Sequence, residues 1–152
     1  MDALPASLPA LGQFIGLEHH FVLRVYFEDT DLTGVVYHAN YLRFMERARS
    51  DMLVAAGIDQ RAAHEGGEGA YAVASLAIKY RAPARLGDEL TVISRVLRLR
   101  AASVDIHQRV MRNETIVTQA DVEAAFVSPS GRPRRQPREW MAAFEPLVWK
   151  ES

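Results

Sequence analysis

One helical stretch followed by an unbroken series of strands constrains this chain more than any other feature. Tyr41, Phe44, Met45, Ala48 and Met52 fall at i, i+3, i+4, i+7 and i+11, an apolar stripe on one face of a helix from about His38 to Ala56. Arg43, Glu46, Arg47, Ser50 and Asp51 are assigned to the opposite side, Glu46 and Arg49 are spaced to pair, and Gly57 marks the stop. Ahead of the helix, His20–Glu28 is rich in β-branched and aromatic residues and reads as a strand. After a Gly-rich break, His64 to Gly69, the period of two returns and persists to Val127. A strand over Tyr71–Ala82 carries Leu76, Ile78 and Tyr80 on one face, with Lys79 and Arg81 on the other. Leu90, Val92 and Val96 mark the next, and Val104, Ile106, Gln108 and Val110 the one after. A reversal at Arg112-Asn113-Glu114 leads into a last strand, Ile116–Val127, with Val122, Ala124 and Phe126 on one face. Four successive strands with no helix between them predict a largely antiparallel sheet, hence an α+β domain whose sheet buries the one long helix.

The 152 residues fit one domain, and 49% hydrophobic content is enough for one core. The expected organisation is a flexible N-terminal arm over residues 1–18, a single domain over 19–145 and a C-terminal tail over 146–152. A formal net charge of −1 offers no global attraction to nucleic acid. With no cysteine, a Cys nucleophile and thiolate metal sites are excluded, which accords with a cytoplasmic protein.

The candidate chemistry lies between Phe27 and Asn40. Asp29, Thr30 and Asp31 are common turn formers. They precede a helix whose first N–H groups lack intrahelical partners and favour an anion or a developing oxyanion. A carboxylate, Gly34 to let a ligand approach the backbone, and a helix N-terminus together suit acyl transfer. Asp29, Asp31 and His38 have no established metal-ligand spacing, and no Walker or G-x-S-x-G pattern is present, so no metal or cofactor is expected.

The segment E-D-T-D, G-V-V-Y-H-A-N-Y and E-R-A-R, spread over residues 24–49, resembles the hotdog-fold thioesterases of the 4-hydroxybenzoyl-CoA type. Among these it looks most like the acyl-CoA thioesterases associated with the Tol–Pal system. The resemblance runs more weakly through "YRAPARLGDELTV" and "GRPRRQP", covering roughly residues 20–140. It implies a long helix wrapped by an antiparallel sheet of about five strands, and hydrolysis of acyl-CoA, with acyl carrier protein thioesters as an alternative substrate.

Within that resemblance Asp31 is the implied catalytic carboxylate, as nucleophile or general base. Asp29 is left to the turn. His38 is the implied second active-site residue, its backbone N–H an oxyanion donor. Gly34, Val35, Tyr37, Asn40, Tyr41, Arg81 and Arg85 are expected to contact substrate, with Lys79 and Arg132–Arg135 as further candidates for CoA phosphates. That branch of the family usually has Tyr where this chain has Phe27, so no role of that hydroxyl carries over. The family also implies a homo-oligomer, dimer or tetramer, and a cytoplasmic location with peripheral association to the inner membrane as the variant. A hydroxyacyl-thioester dehydratase and a non-catalytic acyl-binding protein are the rival readings.

Overall fold

The computed structural model describes residues 12–151. Six strands form one antiparallel sheet in the order β1-β2-β4-β5-β6-β3: β1 Gln13–Ile15, β2 Glu18–Arg24, β3 Ala70–Tyr80, β4 Glu89–Leu99, β5 Ser103–Arg112 and β6 Thr115–Val127. Helix α1, Asn40–Ala55, packs against β1, β2, β4 and β5, and two short helices, α2 Gln60–Glu65 and α3 Arg138–Phe144, flank this layer. The expected α+β architecture is therefore present, with six strands where about five were expected.

The period-two positions explain how the layers meet. Val92 pairs with Val110 and Ile106 with Val122, so these side chains share the face turned to α1 and all four are buried. Tyr41, Phe44, Met45, Ala48 and Met52 enter that layer from the helix and are 3% exposed or less. Each large side chain so buried contributes about 1.5–3 kcal/mol. Asn113 turns β5 into β6 with φ +54, a left-handed conformation that Asn tolerates better than most residues.

Several expectations are corrected. The strand expected to reach Glu28 ends at Arg24, because the Asp29 carboxylate accepts the Tyr26 N–H at 2.9 Å and winds Phe27–Asp29 into a 3-10 turn. The helix begins at Asn40 rather than His38, which lies outside it. Helices α2 and α3 were not anticipated, although Asp59 capping the Ala62 N–H is the signal that marks the first. Glu46 and Arg49 do not pair. Arg49 Nη1 instead donates to Gln108 Oε1 at 2.9 Å, and the fully buried Gln108 amide passes the connection on to the Met45 carbonyl and Ser94. At the far end, Trp149 of the expected tail donates its N–H to the Val96 carbonyl at 2.7 Å, and its ring lies under the Arg95 guanidinium. Of the expected N-terminal arm, residues 1–11 fall outside the described residues, while 13–15 form β1 and Glu18 opens β2.

Asp51 shows why β1 is held. Assigned to the polar side of the helix, it is 9% exposed and faces the core edge, where its Oδ2 lies 2.8 Å from both the Gly12 N–H and His19 Nε2. A side chain on Gly12 would meet the His20 carbonyl and this carboxylate at under 3 Å, so only glycine fits there. His19 is fully buried, its Nδ1 has no partner among the described residues, and burial pushes its pKa below the ordinary 6.5 despite the opposing pull of Asp51. With the folded value below the unfolded one, the unfolded chain takes up the proton first as pH falls. Stability is therefore expected to decline as pH drops from about 6.5 and to level off below the folded value. Urea denaturation at stepwise pH, compared with His19→Gln, checks this. The variant should lose that part of the slope.

Candidate active site

The loop that leads into α1 is a small closed structure. The Thr30–Val36 bridge pairs its two arms, the Asp31 N–H donates to the Val35 carbonyl at 2.9 Å and the Tyr37 N–H to the Asp29 carbonyl at 2.9 Å. The tip, Asp31-Leu32-Thr33-Gly34, closes with the Gly34 N–H on the Asp31 carbonyl at 3.2 Å. Asp at the first position and Gly at the fourth are what such a turn favours, and Gly34 takes φ +83. The second arm is tied to the β3–β4 connection through the Val36 N–H to the Ala84 carbonyl, 2.8 Å, and the Val35–Arg85 bridge. That connection is itself stiffened by Arg112, which donates to the Pro83 carbonyl and to Asp88.

The two aspartates of E-D-T-D divide their work. Asp29 is consumed by structure, its carboxylate on the Tyr26 N–H and its carbonyl on Tyr37 and the Asn40 amide, 2.9 Å each. Asp31 is exposed. Its Oδ1 accepts the Thr33 N–H at 2.7 Å and the Thr33 hydroxyl at 2.6 Å, and no hydrogen bond among the described residues uses Oδ2. The Thr33 hydroxyl first, and the Thr33 N–H next, hold the Asp31 carboxyl below the usual carboxylate range. At neutral pH the group is a carboxylate with one oxygen free.

The start of α1 supplies the complementary half. Asn40 N–H bonds the Tyr37 carbonyl, but the backbone N–H groups of His38, Ala39 and Tyr41 have no acceptor among the described residues. Ala39, the N-cap, brings no side chain to satisfy them. His38 is exposed beside Tyr37, ring centroids 4.6 Å apart, and meets Tyr80 edge-on at 6.0 Å. The Tyr80 hydroxyl donates to the His38 carbonyl at 3.1 Å, pinning this peptide from β3. A groove of about 310 Å³ runs alongside, lined by Val36, His38, Tyr41, Tyr80, Arg81, Ala82 and Pro83.

Of the residues expected to contact substrate, Gly34, Val35 and Tyr37 thus belong to the Asp31 loop, and Asn40, the first residue of α1, bonds it through its amide. Tyr41 and Arg81 share the groove with His38. Tyr41 is buried, and its hydroxyl accepts the Ala84 N–H at 3.3 Å. Arg85 joins the loop through its backbone. Asp31 and His38 share no hydrogen bond. The structure does not bring the Arg132–Arg135 stretch to this loop: Arg134 is spent on the carbonyls of Gly67 and Glu68, and the neighbouring Gln136 is buried. A second cavity of about 220 Å³ lies elsewhere along α1, with Met52, Leu53, Val104, Ile106 and Phe144 as apolar walls and Arg49 among its polar lining. Sequence reasoning missed Thr33 and Tyr80. The Asp-x-Thr spacing of a side-chain-bonded turn could have indicated the first, whereas Tyr80 is brought in only by the fold.

Residues 25–144 match the family described as the thioesterase-like superfamily. The chain is 41% identical over 128 residues to the acyl-CoA thioesterase YbgC of Haemophilus influenzae, covering 84% of this chain and 94% of that one. It is 38% identical over 125 residues to the acyl-CoA thioester hydrolase YbgC of Escherichia coli O6:H1, covering 81% and 92%. Among solved structures, a probable thioesterase from Bartonella henselae superposes with a TM-score of 0.75 at 38% identity, over 79% of this chain and 99% of that one.

Proposed function

The chain belongs to the thioesterase-like superfamily and is an acyl-CoA thioesterase, and we propose that it cleaves its substrate with Asp31 as nucleophile or general base and the start of α1 as oxyanion site. The observation that carries this is the free Oδ2 of an ionised Asp31, on a loop that leads directly into a helix start whose His38, Ala39 and Tyr41 N–H groups have no acceptor among the described residues. A thioester is already activated, because its leaving thiolate has a pKa near that of cysteine, about 8.5. Little acid assistance is needed, so a carboxylate and a few N–H donors suffice. The carboxylate either attacks the carbonyl carbon, giving a mixed anhydride that water opens, or takes a proton from the attacking water. In both routes the C–S bond breaks and CoA leaves as the thiolate.

The single chain leaves this machinery open to solvent, and Asp31 is exposed. We read the working form as a homo-oligomer, dimer or tetramer. Strand β3 supports this, since among the described residues it is an outer strand whose ladder pairs only with β6, with Val73 50% and Tyr80 47% exposed. Arg81 and Arg85, both exposed cations beside the loop, are the proposed contacts for CoA phosphates.

Thiol release from short, long and aromatic acyl-CoAs, with acyl carrier protein thioesters in parallel, tests the reading. Acyl-CoA should be hydrolysed with free acid as product. Interconversion of hydroxyacyl and enoyl thioesters without thiol release would establish the dehydratase instead. His38→Ala keeps the backbone N–H and loses only the imidazole, so kcat is expected to fall by about tenfold, well short of the loss from removing the carboxylate. Unchanged kinetics would restrict His38 to its backbone.

A further inference from the structure

We propose that Thr33 is a positioning residue for the catalytic carboxylate: by donating both its N–H and its hydroxyl to Asp31 Oδ1, it commits that oxygen and leaves Oδ2 to react. This rests on the reading of Asp31 as catalytic. The two bonds, 2.7 Å from the N–H and 2.6 Å from the hydroxyl, fall in the range of charge-assisted hydrogen bonds. Beside these two bonds only the Val35 and Asp31 backbone groups, acting more weakly, favour the charged form. Asp31 is exposed and no other donor side chain reaches it among the described residues. With the N–H alone, the carboxylate would be free to turn about its own Cβ–Cγ bond and exchange its oxygens. The hydroxyl supplies the second fixed point that keeps them unequal. Reacting groups need placement within roughly 0.5 Å, which a solvent-exposed carboxylate does not reach unaided.

The charged surroundings do not substitute for Thr33. Asp29 on the same loop is held by the Tyr26 N–H. On the β3–β4 connection packed against the loop, Arg85 meets it through backbone, and Asp88 accepts the Arg85 N–H and Arg112. None of these donates to Asp31. His38, three residues beyond Val35, is without a bond to it. The hydroxyl of Thr33 is also the leading cause of the lowered Asp31 carboxyl, ahead of the Thr33 N–H. Position and ionisation therefore depend on the same atom.

Thr33→Val keeps shape and N–H and removes only the hydroxyl, while Thr33→Ser retains it. Thiol release is measured against pH for wild type, both variants and Asp31→Asn. For Thr33→Val, kcat should fall about three- to tenfold with KM within about twofold, in keeping with the net worth of one ordinary hydrogen bond at a solvent-exposed site. The acidic limb of its kcat profile should move to higher pH, because the carboxylate loses the donor that favours its charged form. Thr33→Ser should restore both. A Thr33→Val enzyme with wild-type kcat and acidic limb, beside an inactive Asp31→Asn, overturns the role of Thr33 alone. A fall in kcat with no movement of the limb, or one that Thr33→Ser does not repair, overturns it as well. Asp31→Asn at the wild-type rate overturns the catalytic reading beneath it. Thr33 is exposed, so melting temperatures should coincide, which separates these outcomes from misfolding.

Discussion

Asp31→Asn is expected to lower kcat for thioester hydrolysis by about two to four orders of magnitude, the usual range for a positioned base or nucleophile. The same variant should melt where the wild type does. Asparagine is nearly isosteric, and its amide oxygen can take the place of Oδ1, accepting the Thr33 N–H and hydroxyl and preserving the turn. It cannot carry the negative charge, accept a proton at neutral pH, or form an anhydride. Asp31 is exposed to solvent, which screens its bonds to Thr33, so the fold has little stake in the charge. Thiol release beside a thermal melt reads both properties at once. A variant that hydrolyses acyl-CoA at the wild-type rate would remove Asp31 from the chemistry. The neighbouring acid is the internal control. Asp29 binds the Tyr26 N–H and shapes the 3-10 turn, so its removal should disturb the loop rather than only the rate.

Phe126→Ala is expected to show the opposite signature, a loss of about 3–5 kcal/mol in stability, the range for truncating a buried aromatic side chain. Phe126 is 1% exposed on β6. Its ring meets Trp140 of α3 at 5.4 Å and Tyr71 of β3 at 5.6 Å, both in edge-on arrangements. It therefore joins the outer strand of the sheet to the C-terminal helix, and truncation leaves a cavity that three elements would have to close together. At this chain length each kcal/mol is worth roughly 2–4 °C, so the melting temperature should fall by roughly 6–20 °C. Denaturant titration and a thermal scan measure the loss. Activity well below the transition should stay near wild type, because Phe126 packs with Met52, Ile106 and Phe144, a cluster separate from the one that holds Val36, Tyr41 and Ala84 beneath the active loop. A melt unchanged within error would show that the cavity collapses without cost, contrary to the packing seen.

What the sequence conveyed and what it withheld follow from the range of the interactions concerned. The stripe from Tyr41 to Met52 and the alternation through Val104, Ile106 and Val110 are local patterns set by backbone geometry, so they reported the helix and the strands directly. Asp31, Gly34 and the turn they close were visible for the same reason, since a turn's chemistry lies within four residues. Asp51 was assigned to the wrong side because nothing within a few residues shows that His19 and the Gly12 N–H await it, 32 and 39 positions away. Arg49 was matched to Glu46 by spacing, whereas Gln108, 59 residues on, took it.

The candidate site divides along the same line. The short segment from Asp29 to Asn40 carries its own turn chemistry, so the sequence by itself determined that an acidic loop closed at Gly34 runs into a helix. That β3 sends Tyr80 to the His38 carbonyl, and that the β3–β4 connection clasps Val35 and Val36, were decided only by the tertiary structure. Hydrogen bonds of a few ångströms between residues more than 40 apart exist only once the sheet has closed around the helix.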